Sequence, residues 1–216
     1  KALNLFTSHE RIEEKSETYF KIDLTKTIPV AAGLGGGSAD AAATLNALNY
    51  FYNEELTMTE LSYLAAELGS DVAACLYSQA LFMRGRGELI DLVDDFYIDD
   101  LEVLAVTPNI YSSTKEVYKQ YDLIGRPSDA GGLVPDQLKG FVEAFVNDLS
   151  IAAYDRYPEL LDVKTYLEST TNMSFFLAGS GSTFYTVGDP ERISDAKQQI
   201  STGSAKMRLN QSSRII

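Results

Sequence analysis

The residues best suited to chemistry lie in one stretch, Pro29-Val-Ala-Ala-Gly33-Leu-Gly35-Gly36-Gly37-Ser38-Ala39-Asp40. Glycines at 33, 35, 36 and 37 remove the Cβ atoms that would hold a ligand away from the main chain. They also permit positive φ, so successive N–H groups can point into one concavity. Ser38 stands where a helix N-cap is expected, with the unpaired N–H groups and positive dipole end of a first turn behind it. Such an arrangement binds phosphate. A glycine run that is only a flexible or tightly packed turn is the competing reading. Two familiar phosphate loops do not fit. No Gly-Lys-Ser/Thr closes the stretch, and the spacing is not Gly-x-Gly-x-x-Gly with an acid about twenty residues on.

Three further groups could take part. Asp71 falls in the first turn of a short helix opened by Ser70, where a carboxylate either complements the dipole or faces a ligand. Thr114 and Tyr118 lie on one helical stretch, and an aromatic there can stack on a base or pack half-buried. Gly179-Ser180-Gly181-Ser182 forms a small-residue turn between two apolar runs, as in a hairpin. Arg84 and Arg86 alternate with glycine and suit either a phosphate contact or a charged sheet edge. His9 lies in a polar run that reads as solvated surface.

Regular elements must hold these groups in place. The alternation of Phe20, Ile22 and Leu24 with Lys21, Asp23 and Thr25 predicts a strand over 19–28, running through the glycine stretch into a helix marked by Ala41, Leu45, Leu48 and Tyr52. Residues 1–6 read as the end of a helix. Thr57-Met-Thr-Glu60 is a capping-box pattern opening a helix with Leu61, Leu64, Ala65 and Leu68 on one face and Gly69 at its end. Residues 82–93 predict a hairpin, and 101–106 a buried strand stopped by Thr107-Pro108.

Ser113 or Thr114 caps the next helix, through Tyr121, and 126–135 reads as a loop. Helices are expected over 136–149, with Leu138, Phe141, Val142 and Phe145 inward, and over 158–169, with Leu160, Leu161, Val163 and Leu167 inward. Two strands flank the 179–182 turn. Asp189-Pro190 opens a helix to Ile200, 206–209 reads as a closing strand, and 210–216 as a tail. The acidic run 91–100 divides two expected domains, 1–96 and 97–216.

Composition narrows the class. With 216 residues, 45% of them hydrophobic, the chain can bury a sizeable core. A net charge of −13 and a pI near 4.5 argue against nucleic acid or an anionic membrane as partner. Neither property argues against a nucleotide, whose few phosphates are met locally. No apolar run reaches the roughly 18 residues that span a bilayer. The single cysteine, Cys75, excludes an intrachain disulfide, and no zinc pattern is present. A cytoplasmic protein, monomeric or weakly dimeric, is the expectation.

Residues 29–43 resemble the phosphate-binding motif of the GHMP kinases. Leu68-Gly-Ser-Asp71-Val72, Ser113-Thr114-Lys-Glu-Val-Tyr118 and Gly179-Ser-Gly-Ser182 follow in that family's order. The resemblance implies an α+β GHMP kinase fold: an N-terminal, ATP-binding domain of ribosomal-protein-S5-like type, here lacking its start, and a ferredoxin-like C-terminal domain. It implies ATP and Mg2+ as cofactors. Pro29, Ala32, Gly33, Leu34, Gly35, Gly36, Gly37 and Ser38 are then expected at the ATP phosphates, with Ser38 touching a phosphate or the metal.

Asp71 is then the catalytic residue, facing the hydroxyl to be phosphorylated. Thr114 and Tyr118 are expected at the cytidine end of a small-molecule cytidyl diphosphate substrate, and Gly179, Ser180, Gly181 and Ser182 support the phosphate loop. Departures from the family pattern are Ala39, where a second serine is frequent, and Ala73-Ala74, where a proline and an aromatic usually follow. Other GHMP kinases, of homoserine or mevalonate type, and a catalytically silent nucleotide-binding fragment are the alternatives.

Overall fold

The computed structural model describes residues 1–13, 18–93, 100–125, 146–203 and 214–215. These cluster into two compact units: Lys1–Thr27 with Gly35–Tyr97, and Ile28–Leu34 with Ile98–Ile216.

The first unit is mostly helical: α1 (Ala2–Thr7), α2 (Glu10–Glu13), α3 (Gly36–Phe51), α4 (Met58–Leu68) and α5 (Ser70–Tyr77), followed by the hairpin strands β1 (Leu81–Arg84) and β2 (Leu89–Leu92). Its core gathers Phe6, Ile12, Leu45, Leu61, Ala65 and Val72, all at most 3% exposed. The Thr57–Glu60 capping box forms as expected. Thr57 Oγ1 accepts from the Glu60 N–H, and Glu60 Oε2 accepts from the Thr57 N–H at 2.8 Å.

A buried polar clamp ties the end of α3 to the start of α4. Asn49, 8% exposed, donates through Nδ2 to Leu56 O and accepts from Leu56 N–H through Oδ1, both at 2.9 Å. Asn49→Ala leaves both Leu56 groups unpaired in the core and is expected to destabilise by about 2 kcal/mol, measured by urea denaturation.

The strand expected over 19–28 does not form; the segment has no regular structure and is largely exposed. Alternation alone cannot make a strand, because its N–H and C=O groups need a ladder. Among the described residues β1 and β2 pair only with each other. Tyr19, Ile22 and Leu24 therefore face water, at 101%, 54% and 59% exposure. Phe20 packs instead edge-on to Phe51, with ring centroids 5.1 Å apart, and tilted against Tyr52.

The second unit carries β3 (Glu102–Thr107), α6 (Thr114–Ile124), α7 (Leu149–Arg156), α8 (Glu159–Thr171), β4 (Phe176–Leu177), β5 (Phe184–Gly188), α9 (Pro190–Gly203) and β6 (Arg214–Ile215). The sheet is antiparallel throughout, in the order β4-β5-β3-β6. Numbered within the unit, that order is 2-3-1-4, with helices after the first and third strands. This is the ferredoxin-like split arrangement with added helices. Leu104, Val106, Val117, Leu160, Leu167, Phe175, Phe184 and Ile200 are fully buried in its core.

Four expectations need correction here. The run 101–106 is not buried throughout: Leu101 and Val103 are 39% and 59% exposed, since only one face of the antiparallel β3 meets the core. Leu161 is 49% exposed, one residue past the inward row of α8. Residues 146–148 are not helical and α7 begins at Leu149, so the sequence pattern missed that helix. The supposed tail contributes β6, with Val106 opposite Ile215 and Thr107 opposite Arg214. The expected loop 126–135, the helix residues 136–145 and the strand 206–209 lie outside the described residues.

Candidate active site

In the first unit, the chain enters α3 through Gly35, which has φ 63 and ψ 10, a left-handed conformation that glycine adopts without a Cβ clash. The helix therefore starts at Gly36, and Gly35 is its N-cap. Ser38 is not the cap, contrary to expectation. It is the third helical residue, and no side chain caps the helix. The first intrahelical bond runs from Ala39 N–H to Gly35 O at 2.9 Å. The N–H groups of Gly36, Gly37 and Ser38 are left without helical acceptors, and no acid stands in the first turn. That contrasts with α4, closed by its capping box and carrying Glu60 in its first turn. Farther along α3, Asp40 forms an ion pair with Lys26.

Asp71 opens α5, a helix that packs against α3. Ser70 does not cap it; Gly69 holds the N-cap position and no side-chain cap forms. The Asp71 carboxylate is exposed and not spent on capping. Its charge adds to the burial that pushes the Cys75 thiol up, one turn on. The start of α5 is fixed from the hairpin: a Cβ at Gly87, with φ +109, would stand 2.3 Å from Ser70 O. The glycine at 87 thus permits a close approach that the sequence did not reveal. Arg84 pairs with Asp91 across the hairpin, the charged-edge reading of that segment.

In the second unit, Pro29 to Leu34 meets the 178–183 turn. Thr183 N–H donates to Ala32 O at 3.2 Å, and a Cβ on Gly33 would fall 2.0 Å from Ala178 O and 3.0 Å from Gly181 O. The turn closes on itself through Ala178 N–H to Thr183 O, 2.8 Å, and Gly181 N–H to Ala178 O, 2.9 Å. Ser180, Gly181 and Ser182 are buried, while Gly179 is exposed. Asn147 Nδ2 braces the turn, donating to Leu177 O and Gly179 O at 2.8 and 2.7 Å. Beside it lies a cleft of about 240 Å³ between Pro29–Ala32 and Thr107–Tyr111.

Thr114 joins this cluster and Tyr118 does not. Ser113 caps α6 by accepting from Glu116 N–H, and its own N–H donates to the Tyr157 hydroxyl at 3.2 Å. Thr114 Oγ1 lies 2.9 Å from Ser180 Oγ, and Ser112 Oγ donates to Ser180 O at 2.6 Å. Tyr118, one turn on, holds its ring 53% exposed, open to a flat partner. Sequence reasoning missed Ser112 and Tyr157. Each acts on the main chain of residues distant in sequence, and no local pattern marks that.

The arrangement offers, among the described residues, amides without helical acceptors at the entry to α3, an exposed carboxylate that caps nothing on a helix packed against it and, within the second unit, a braced glycine turn with a hydroxyl and an aromatic beside it. Among the described residues no group of three or more His, Cys, Asp and Glu is placed to hold a metal ion, and no helix is long and apolar enough to cross a membrane.

Comparison with known proteins gives these features a family. Residues 3–79 match the family described as GHMP kinases N terminal domain. A 4-diphosphocytidyl-2-C-methyl-D-erythritol kinase of Methylacidiphilum infernorum is 36% identical over 203 residues, 92% of this chain and 68% of that protein. One from Caldanaerobacter subterraneus subsp. tengcongensis is 38% identical over 180 residues, 80% of this chain and 62% of that protein. A crystal structure of 4-(cytidine 5'-diphospho)-2C-methyl-D-erythritol kinase matches with a TM-score of 0.64 at 30% identity, over 82% of this chain and 65% of that one. The chain spans 62% of one curated relative and 58% of another, short of two thirds of their length. The identity and the extent of the match show that the chain belongs to the 4-diphosphocytidyl-2-C-methyl-D-erythritol kinase family of GHMP kinases.

Proposed function

We propose that this protein transfers the γ-phosphoryl group of ATP to the 2-hydroxyl of 4-diphosphocytidyl-2-C-methyl-D-erythritol, a step in non-mevalonate isoprenoid synthesis. The observation that carries the reading is the uncapped start of α3 behind Gly35, with three amides that have no helical acceptor, in a chain of this kinase family. Those amides and the dipole behind them suit the phosphates of a nucleoside triphosphate. Pro29, Ala32, Gly33 and Leu34 lead the chain into that turn. Phosphoryl transfer passes through a loose transition state, so positioning and charge neutralisation matter more than a strong base. The acceptor oxygen bonds to the γ-phosphorus as the bond to the β–γ bridging oxygen breaks, ADP leaves, and Asp71 orients the hydroxyl and accepts its proton.

Mg2+ fits this donor set. The ion usually keeps several waters and takes phosphate oxygens with only one or two protein groups, and the Ser38 hydroxyl is the chain group proposed for it. Bound there, it would neutralise phosphate charge. Thr114 and Tyr118 receive the cytidine end of the acceptor, Tyr118 by stacking, and Gly179 to Ser182 back the phosphate loop. A single free cysteine and a net charge of −13 fit a cytoplasmic enzyme that binds neither nucleic acid nor membrane, as a monomer or weak dimer.

The test is incubation of the whole protein with ATP and, separately, the cytidyl substrate, homoserine and mevalonate, with products read by mass spectrometry. Phosphorylation of the cytidyl compound alone is expected. Nucleotide binding without transfer to any of them would instead mark a silent nucleotide-binding protein.

A further inference from the structure

We propose that Ser180 is a positioning residue that couples the acceptor-binding segment 112–118 to the phosphate loop, so that occupation of one raises affinity at the other. The inference rests on the functional reading above and adds a link between its two ligands. Ser180 is 6% exposed and both of its oxygens are engaged on one side, the carbonyl by the Ser112 hydroxyl at 2.6 Å and the side chain by Thr114 Oγ1 at 2.9 Å. On the other side, the turn that contains Ser180 touches the loop directly. Thr183 N–H donates to Ala32 O, and the close approach of Gly33 leaves no room even for a methyl group against Ala178 O. Ala178 to Thr183 is closed by its own two hydrogen bonds and braced by Asn147, so it moves as one body. A shift at Thr114 is therefore carried to Ala32 and Gly33, because packed elements transmit displacement instead of absorbing it.

The hydroxyl pair also sets what Thr114 can offer. Each hydroxyl has one proton and two lone pairs, and either atom of the Ser180–Thr114 pair can be the donor. A ligand oxygen arriving at Thr114 takes its proton, which leaves Ser180 to donate to Thr114. A ligand N–H reverses the pair. The exposed hydroxyl thus adapts to the nucleoside diphosphate while the buried one holds it in register with the turn.

The test is calorimetric titration of the whole protein with cytidine 5'-diphosphate and a non-hydrolysable ATP analogue, each alone and in the presence of the other. Each ligand is expected to tighten the other about fivefold. Ser180→Ala is expected to abolish that factor, whatever the affinity of each ligand alone, with an unchanged circular dichroism spectrum and melt setting aside a loss of folding. The exposed Thr114 can turn to water, so the substitution orphans no buried group. Thr114→Val is expected to lose the coupling too, and Thr114→Ser to keep it. Full coupling in Ser180→Ala, or binding of both ligands without coupling in the unaltered protein, overturns the inference and leaves the kinase reading standing. Failure of the unaltered protein to bind either ligand removes both.

Discussion

Asp71→Asn is expected to lower kcat by about 10²–10³-fold while the KM for ATP moves by less than about threefold. Asparagine keeps the shape of the side chain and can still hydrogen-bond the acceptor hydroxyl, but it cannot take the proton. Its effect on folding should be small. Asp71 is exposed and caps nothing, and its interaction with the helix dipole is worth only about 0.3–1 kcal/mol. The start of α5 is held by other means, the packing on α3 and the approach of Gly87 to Ser70 O. If Asp71 only complements the dipole, the variant melts slightly earlier and turns over as before. If it faces the acceptor, melting is nearly unchanged and steady-state turnover collapses. Near wild-type turnover in Asp71→Asn would take this residue out of the reaction.

That split between a stability role and a chemical role marks what could be read from the sequence. Helices whose signals are local were legible: the capping box at Thr57, the glycine stop at Gly69, the Ser113 cap and the proline start of α9 all depend on residues within one turn. The strand over 19–28 was misread for the opposite reason. Its alternation was real, but a strand is completed by a partner elsewhere in the chain, and among the described residues it has none. β6 was missed because two residues are too few to show a period, and only their pairing with Val106 and Thr107 makes them a strand.

The site divides in the same way. Glycines at 33, 35, 36 and 37 marked a tight turn by composition, yet which of them caps the helix depended on the left-handed turn at Gly35, which moved Ser38 from the cap to the third helical position. Asn147 and Ser112 hold main-chain oxygens 30 and 68 residues away. Such contacts follow from the fold and have no signature in the sequence around either residue.

The glycines of the loop have separate tasks, and alanine substitutions tell them apart. Gly33→Ala is expected to destabilise the second unit by about 3 kcal/mol, from left-handed strain and overpacking together. Its φ is +76, and the new methyl would stand 2.0 Å from Ala178 O, a main-chain atom fixed by the turn's own hydrogen bonds. The neighbouring Ala31 already takes a positive φ of 57, so the segment has little freedom left to absorb the shift. Gly37→Ala meets nothing within 4 Å and lies in the first turn of α3, where alanine favours the helix by about 0.5–1 kcal/mol. It should melt no earlier than the unaltered protein. Its methyl would nonetheless stand beside the free amides, where a phosphate oxygen must approach. The expected result is an early melt for Gly33→Ala and, for Gly37→Ala, an unchanged melt with at least about tenfold weaker binding of an ATP analogue, since a ligand held off its hydrogen bonds loses 1.4 kcal/mol or more. If Gly37→Ala bound the analogue as tightly as the unaltered protein, the amides at the start of α3 would not be the phosphate site, whatever Gly33→Ala did to stability.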